Sequence, residues 1–125
     1  MKIPNQYLPI MPYLVLQDSK GFLEFAKTVF AAKEQLIVPS DGKDEIRHGE
    51  IRIFDAVVMF GNASENWNEK PAAMFMYVEN VANTYQLAMA HRSKSLEQPA
   101  QKDYGFSASF EDPYGNHWFI VEAEK

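Results

Sequence analysis

The 125-residue chain is 46% hydrophobic and 23% charged with a formal net charge of -5, an ordinary globular composition that excludes the disordered and fibrous classes and is long enough for one core. Cysteine is absent, which excludes disulfides, thiolate nucleophiles and zinc-thiolate sites together. Without a basic cluster interleaved with aromatics, an apolar run of about 18 to 20 residues or a signal-peptide core at the start, the expectation is a cytoplasmic protein whose partners are neither nucleic acid nor membrane.

Met11 to Leu16 is apolar and reads as a strand. Asp18-Ser19 then offers an N-cap before Phe22, Phe25, Ala26, Val29 and Phe30, which recur at helical spacing. Gln35 to Val38 is a short strand, Pro39 to Gly42 a turn, and Ile46 to Ile53 and Ala56 to Phe60 are two further extended runs on either side of a turn at Asp55. A polar, turn-prone stretch from Gly61 to Lys70 follows.

Ala72 to Val78 is again an apolar strand, and Asn80 caps a helix carrying Val81, Tyr85, Ala88 and Met89 to about His91, whose imidazole complements the helix dipole. A polar stretch containing Pro99 comes next, then strands at Tyr104 to Phe110 and Trp118 to Val121 around the turn Asp112-Pro113-Tyr114-Gly115-Asn116. The pattern is α+β, a βαβββ order met twice with a period of about sixty residues. Two modules are expected, about 8–62 and about 70–123, within one domain spanning 1–125. With one helix per sheet, the opposite sheet faces are left to bury against each other, a ligand or a second subunit, so a cleft between curved mixed sheets is the expected outcome.

Three patches resemble the glyoxalase/bleomycin-resistance/dioxygenase (vicinal oxygen chelate) superfamily and its small glyoxalase-like members. They are Pro12 to Asp18 with Phe22, Phe25, Lys27 and Phe30; His48 to Ile53 with Val57 to Phe60; and Phe110-Glu111-Asp112-Pro113-Tyr114-Gly115-Asn116-His117-Trp118. The third is similar to the family's Asp-Pro-x-Gly-Asn-x-Trp hairpin, in which these residues also read structurally, as a tight turn with a packed tryptophan.

The resemblance implies four metal-ligand positions drawn from His, Glu and Gln. Here they fall on Met11, Met59, Ala73 and Phe119, and their immediate neighbours are apolar as well. Such side chains do not hold a hard divalent ion, so neither a metal nor any other cofactor is expected. A position before the last hairpin that often holds Arg in the family falls within Tyr104 to Ser107, which argues against an anionic substrate anchor.

Strand alternation places Met11, Tyr13, Val15, Val57, Met59, Ala73, Phe75, Tyr77, His117, Phe119 and Val121 on the cleft side, and Leu14, Leu16, Phe60, Met74, Met76, Val78, Trp118 and Ile120 in the core. Ligand-binding candidates are therefore Met11, Tyr13, Met59, Phe75, Tyr77, His117 and Phe119. The same side chains also suit a reading in which they fill the space themselves. His117, Tyr77 and His48 are the candidates for acid-base chemistry, although His48 shares its face with Glu50 and Arg52 in a set that reads as solvated or interfacial. Asp41 to Glu45 reads as a solvated hairpin turn, and Trp67 as a cap for either a ligand or an interface.

The function expected is binding of a hydrophobic or aromatic, or cationic, small molecule without a metal. The alternative is a glyoxalase-type lyase or isomerase, or a dioxygenase-like enzyme, using another metal site or His/Tyr acid-base chemistry. The resemblance also implies a homodimer.

Overall fold

The computed structural model describes residues 1–124. The chain divides into two compact units, the first from Met1 to Lys70 and the second from Pro71 onward. Each is a βαβββ module.

In the first module β1 (Tyr13–Leu16), α1 (Ser19–Phe30), β2 (Lys33–Pro39), β3 (Ile46–Ile53) and β4 (Ala56–Asn62) follow one another, and the sheet order is β1-β4-β3-β2. β1 runs parallel to β4 and the other pairs are antiparallel. The helix starts where expected because Asp18 accepts from the Gly21 N–H at 2.9 Å. Its apolar stripe of Phe22, Phe25, Ala26, Val29 and Phe30 is buried, and the sheet presents Leu14, Leu16, Ile51, Ile53, Val58 and Phe60 as buried residues. Phe22 and Phe60 meet edge to face at 5.2 Å.

In the second module β5 (Ala73–Val78), α2 (Val81–Ala90), β6 (Lys94–Lys102), β7 (Gly105–Glu111) and β8 (His117–Glu122) form a sheet of order β5-β8-β7-β6, again with one parallel pair, β5 with β8. Asn80 caps α2 by accepting from Asn83 N–H at 2.9 Å, and Glu122 Oε1 accepts from Val81 N–H at the same distance. The side of β8 carrying Trp118 and Ile120 is fully packed.

Two expectations need correction here. The polar stretch around Pro99 is not a connection but the nine-residue strand β6. It lies at the sheet edge and is exposed along nearly its whole length, so it lacks the alternation that reveals a half-buried strand; Pro99, with no N–H to donate, falls where the pairing with β7 shifts register between Glu97 and Ala100. Met74 and Met76 are not fully enclosed core, because α2 buries only Val81, Thr84 and Ala88.

The Asp-Pro-x-Gly-Asn turn is held by a buried carboxylate. Asp112 Oδ1 accepts from the backbone N–H of Tyr114 at 2.8 Å and of Asn116 at 2.9 Å, while Oδ2 accepts from the Asn116 amide and from Trp118 Nε1, each at 2.9 Å. Asn116 Oδ1 in turn accepts from Ala72 N–H at 3.0 Å, fastening the start of β8 to the start of β5. Burial pushes the Asp112 carboxyl above its ordinary pKa, with the four hydrogen bonds pulling the other way. These residues are structural.

Candidate functional site

A groove of about 1020 Å³ opens on the first module, and all of its lining residues belong to that module, Tyr13, Lys43, His48, Trp67 and Lys70 among them. Its walls are the β2–β3 turn and the segment after β4. That segment is fixed beside β1 by a reciprocal pair of backbone bonds between Val15 and Lys70, of 3.1 and 2.8 Å. Reciprocal bonds between Ser64 and Trp67 close a tight turn, which holds the Trp67 side chain in a 69% exposed position. Asn62 ties the walls together: its Oδ1 accepts from Ser19 N–H and Oγ–H and its Nδ2 donates to Glu45.

Tyr13, His48 and Glu50 form a continuous chain of contacts in this module. Tyr13 stands on β1 and His48 on β3, with β4 between them. The phenol reaches across because Gly61 on β4 has no side chain to obstruct it; a Cβ there would stand 3.2 Å from the Tyr13 hydroxyl. The hydroxyl then lies 3.1 Å from His48 Nδ1, and the two rings stack with centroids 5.6 Å apart.

His48 Nε2 lies 2.8 Å from Glu50 Oε2. Glu50 is only 2% exposed and accepts further bonds from Gln35 Nε2 at 3.0 Å and from the Tyr7 hydroxyl, 3.0 Å from both of its oxygens. Arg52 Nε donates to Gln35 Oε1 at 3.0 Å, so the amide is oriented with its N–H toward the carboxylate. Burial by itself raises the Glu50 pKa, but the hydrogen bonds from Gln35, His48 and Tyr7 and the charge attraction of His48 together hold it below the ordinary glutamate value. The Tyr13 phenol is pushed up, first by its own burial and then by the Glu50 charge.

The polar set His48, Glu50 and Arg52 is thus not a solvated face. Alternation along β3 correctly separates it from Ile51 and Ile53, but the covering residue, Tyr7, comes from a segment ahead of the first strand, where no periodicity signals its role.

The ligand-binding candidates divide between the modules. Tyr13 lines the groove; Met59 is its register partner on β4, and Met11 lies just ahead of β1. In the second module Phe75 is opposite Phe119 on β8 and meets Tyr77 edge to face at 5.6 Å, and all three aromatics are exposed. His117 Nε2 lies 2.9 Å from Glu111 Oε1. Of the acid-base candidates, His48 is at the groove, whereas Tyr77 and His117 share a sheet face of the second module.

At the positions where the resemblance places metal ligands, the first module offers two thioethers, Met11 and Met59, and the second a methyl and a phenyl, Ala73 and Phe119. This donor set has no oxygen or imidazole and does not fit a hard divalent ion. Among the described residues, no group of three or more His, Cys, Asp or Glu side chains is placed to hold one.

No protein-family model matches the chain, and no curated protein matches it. Solved structures do. Protein PA1353 from Pseudomonas aeruginosa superposes with a TM-score of 0.79 at 15% identity, covering 95% of this chain and 100% of that one. A member of the glyoxalase/bleomycin resistance protein/dioxygenase superfamily from Sphaerobacter thermophilus gives 0.66 at 14% identity, covering 93% and 98%. The fosfomycin resistance protein FosX from Mesorhizobium loti gives 0.66 at 11% identity, covering 92% and 90%. At these identities the likeness is one of fold: the chain shares with these structures an architecture in which the βαβββ module occurs twice.

Proposed function

We propose that this protein binds a small organic molecule with an aromatic portion in the groove of its first module, using no metal at the family positions. The observation that carries this reading is the groove itself, with its volume and the placement of Trp67 and the stacked Tyr13–His48 pair along it. A site that combines aromatic surface with a few fixed polar groups obtains affinity from burial and orientation from hydrogen bonds. Lys43, Arg47 and Lys70 stand against Asp41 and Glu45, a near balance by which charge alone selects the ligand only weakly.

Titration with 2-naphthol, followed by two-dimensional amide NMR, tests the reading. Saturable one-to-one binding is expected, with shifts concentrated around Tyr13, His48 and Trp67. Replacing the exposed Trp67 by Ala weakens it about fivefold, the contribution of one aromatic contact. Absence of saturable binding, or shifts confined to the second module, would overturn it.

One observation favours the enzymatic alternative, a lyase, isomerase or dioxygenase-like activity. A tyrosine bonded to an imidazole that is oriented by a buried carboxylate has the arrangement of an activated acid-base group. A homodimer belongs to the same proposal, with a second copy covering the exposed Phe75, Tyr77 and Phe119 as sheets in this family commonly pair; a monomer in analytical ultracentrifugation would remove it.

A further inference from the structure

We infer that the groove selects ligands presenting a hydrogen-bond donor, such as a phenolic hydroxyl or a ring N–H, to the oxygen of Tyr13. This rests on the binding reading above and names the ligand chemistry it requires.

Glu50 is enclosed and receives hydrogen bonds from Tyr7, Gln35 and His48; an ionised carboxylate is acceptor-only, so the His48 nitrogen facing it, Nε2, carries a proton. In a neutral imidazole the other nitrogen is then an acceptor. His48 Nδ1 faces the Tyr13 hydroxyl at 3.1 Å, and Tyr13 has a single proton to give. With the imidazole neutral, that proton is committed to His48, which leaves the phenol oxygen with only lone pairs to offer to the groove that Tyr13 lines. A ligand atom that is itself only an acceptor finds no proton there and loses its bond to water on entry, whereas a donor is satisfied.

The polarity is a property of the whole chain of contacts, which meets the His48 ring on both sides. Its two nitrogens are engaged at opposite ends, and its ring is stacked against Tyr13 at an interplanar angle of 29°. Arg52 holds Gln35 and Gln35 holds Glu50, so the carboxylate is kept acceptor-only from behind.

The test compares 2-naphthol with 2-methoxynaphthalene, which keeps the ring system and the oxygen but loses the donor. The ether is the more apolar of the two, so without the proposed bond it binds at least as tightly as the naphthol. For the unaltered protein the naphthol is expected to bind about tenfold more tightly, the ratio a single buried hydrogen bond supports. Tyr13→Phe, which keeps the ring and removes the oxygen, is expected to abolish that preference, so that the naphthol no longer binds more tightly than the ether.

His48→Phe frees the Tyr13 proton, and the ether then gains affinity and narrows the ratio. His48→Gln serves as a second variant where the first fails to give a dispersed amide spectrum. Nitrogen-15 NMR of the His48 ring, at a pH where it is neutral, reports the tautomer directly and is expected to show the proton on Nε2. Equal affinities in the unaltered protein, or a proton on Nδ1, would overturn this inference alone. Failure of both compounds to bind would overturn the binding reading and this inference with it.

Discussion

The hydroxyl of Tyr13 passes over Gly61, and the absence of a side chain there is what lets β1 and β3 communicate across β4. A Cβ at Gly61 would stand 3.2 Å from that hydroxyl and 2.5 Å from the backbone oxygen of Arg47. The second contact is the more severe, because a strand carbonyl has no rotamer by which to move aside. Gly61→Ala is therefore expected to cost about 1–3 kcal/mol, the usual range for overpacking a fitted site, and to separate Tyr13 from His48. Urea unfolding measures the first effect, and loss of the naphthol preference the second. A variant as stable and as selective as the parent would show that β4 shifts freely.

Gly49 makes a similar arrangement on the other face of the sheet. It is the register partner of Phe60, and a Cβ there would stand 2.4 Å from the Phe60 ring, itself completely buried. The ring lies across the bare backbone because nothing projects from it. Gly49→Ala is expected to destabilise by about 2 kcal/mol, and shortening the ring with Phe60→Leu in the same chain recovers part of that loss. A double-mutant cycle measures the coupling; strictly additive effects would place the cost elsewhere than this contact.

The fold was largely legible in the chain because both helices carry Asp or Asn caps and because most strands alternate. Faces followed directly: Leu14, Leu16, Phe60, Trp118 and Ile120 are buried as the two-residue period requires. β6 was not legible as a strand, since an edge strand exposed on both faces has no alternation to read. The site was half legible. Tyr13 and His48 were both singled out, but in different roles, and what joins them is the spatial gap at Gly61, which depends on β4 lying between β1 and β3. Glu50 read as solvated or interfacial because its cover, Tyr7, arrives from outside the repeating pattern.

Asp112 offers a test of the turn that closes the second module. Its carboxylate takes hydrogen bonds from Tyr114 N–H, Asn116 N–H, the Asn116 amide and Trp118 Nε1, so removing it strands several buried donors at once. Asp112→Ala is expected to cost about 3 kcal/mol or more. Asp112→Asn, which retains one acceptor oxygen, should cost less. Thermal unfolding gives the order, and the emission of the buried Trp118 reports whether its indole N–H has lost its partner. Equal stability of the two variants would mean that neither the shape of the side chain nor the one acceptor oxygen that asparagine retains holds the turn.

Acidification separates Glu50 from Asp112 because their shifts have opposite signs. The Glu50 pKa is lowered in the fold from its ordinary value of 4.5, so its stabilising contribution is fully present above that value and is lost as the pH falls below it through the folded pKa. The Asp112 pKa is raised above 3.8 by burial; the fold takes up that proton more readily than the unfolded chain, so Asp112 gains in relative stability as the pH falls and does not drive acid unfolding. Comparing the parent with Glu50→Gln isolates the first effect, since Asp112 is common to both. Near neutrality the parent is expected to be the more stable, and the gap narrows once the pH is taken well below 4.5. Urea unfolding at pH 7 and in the acid range supplies the two gaps, and a gap of constant size would mean that Glu50 keeps the same pKa whether the chain is folded or not.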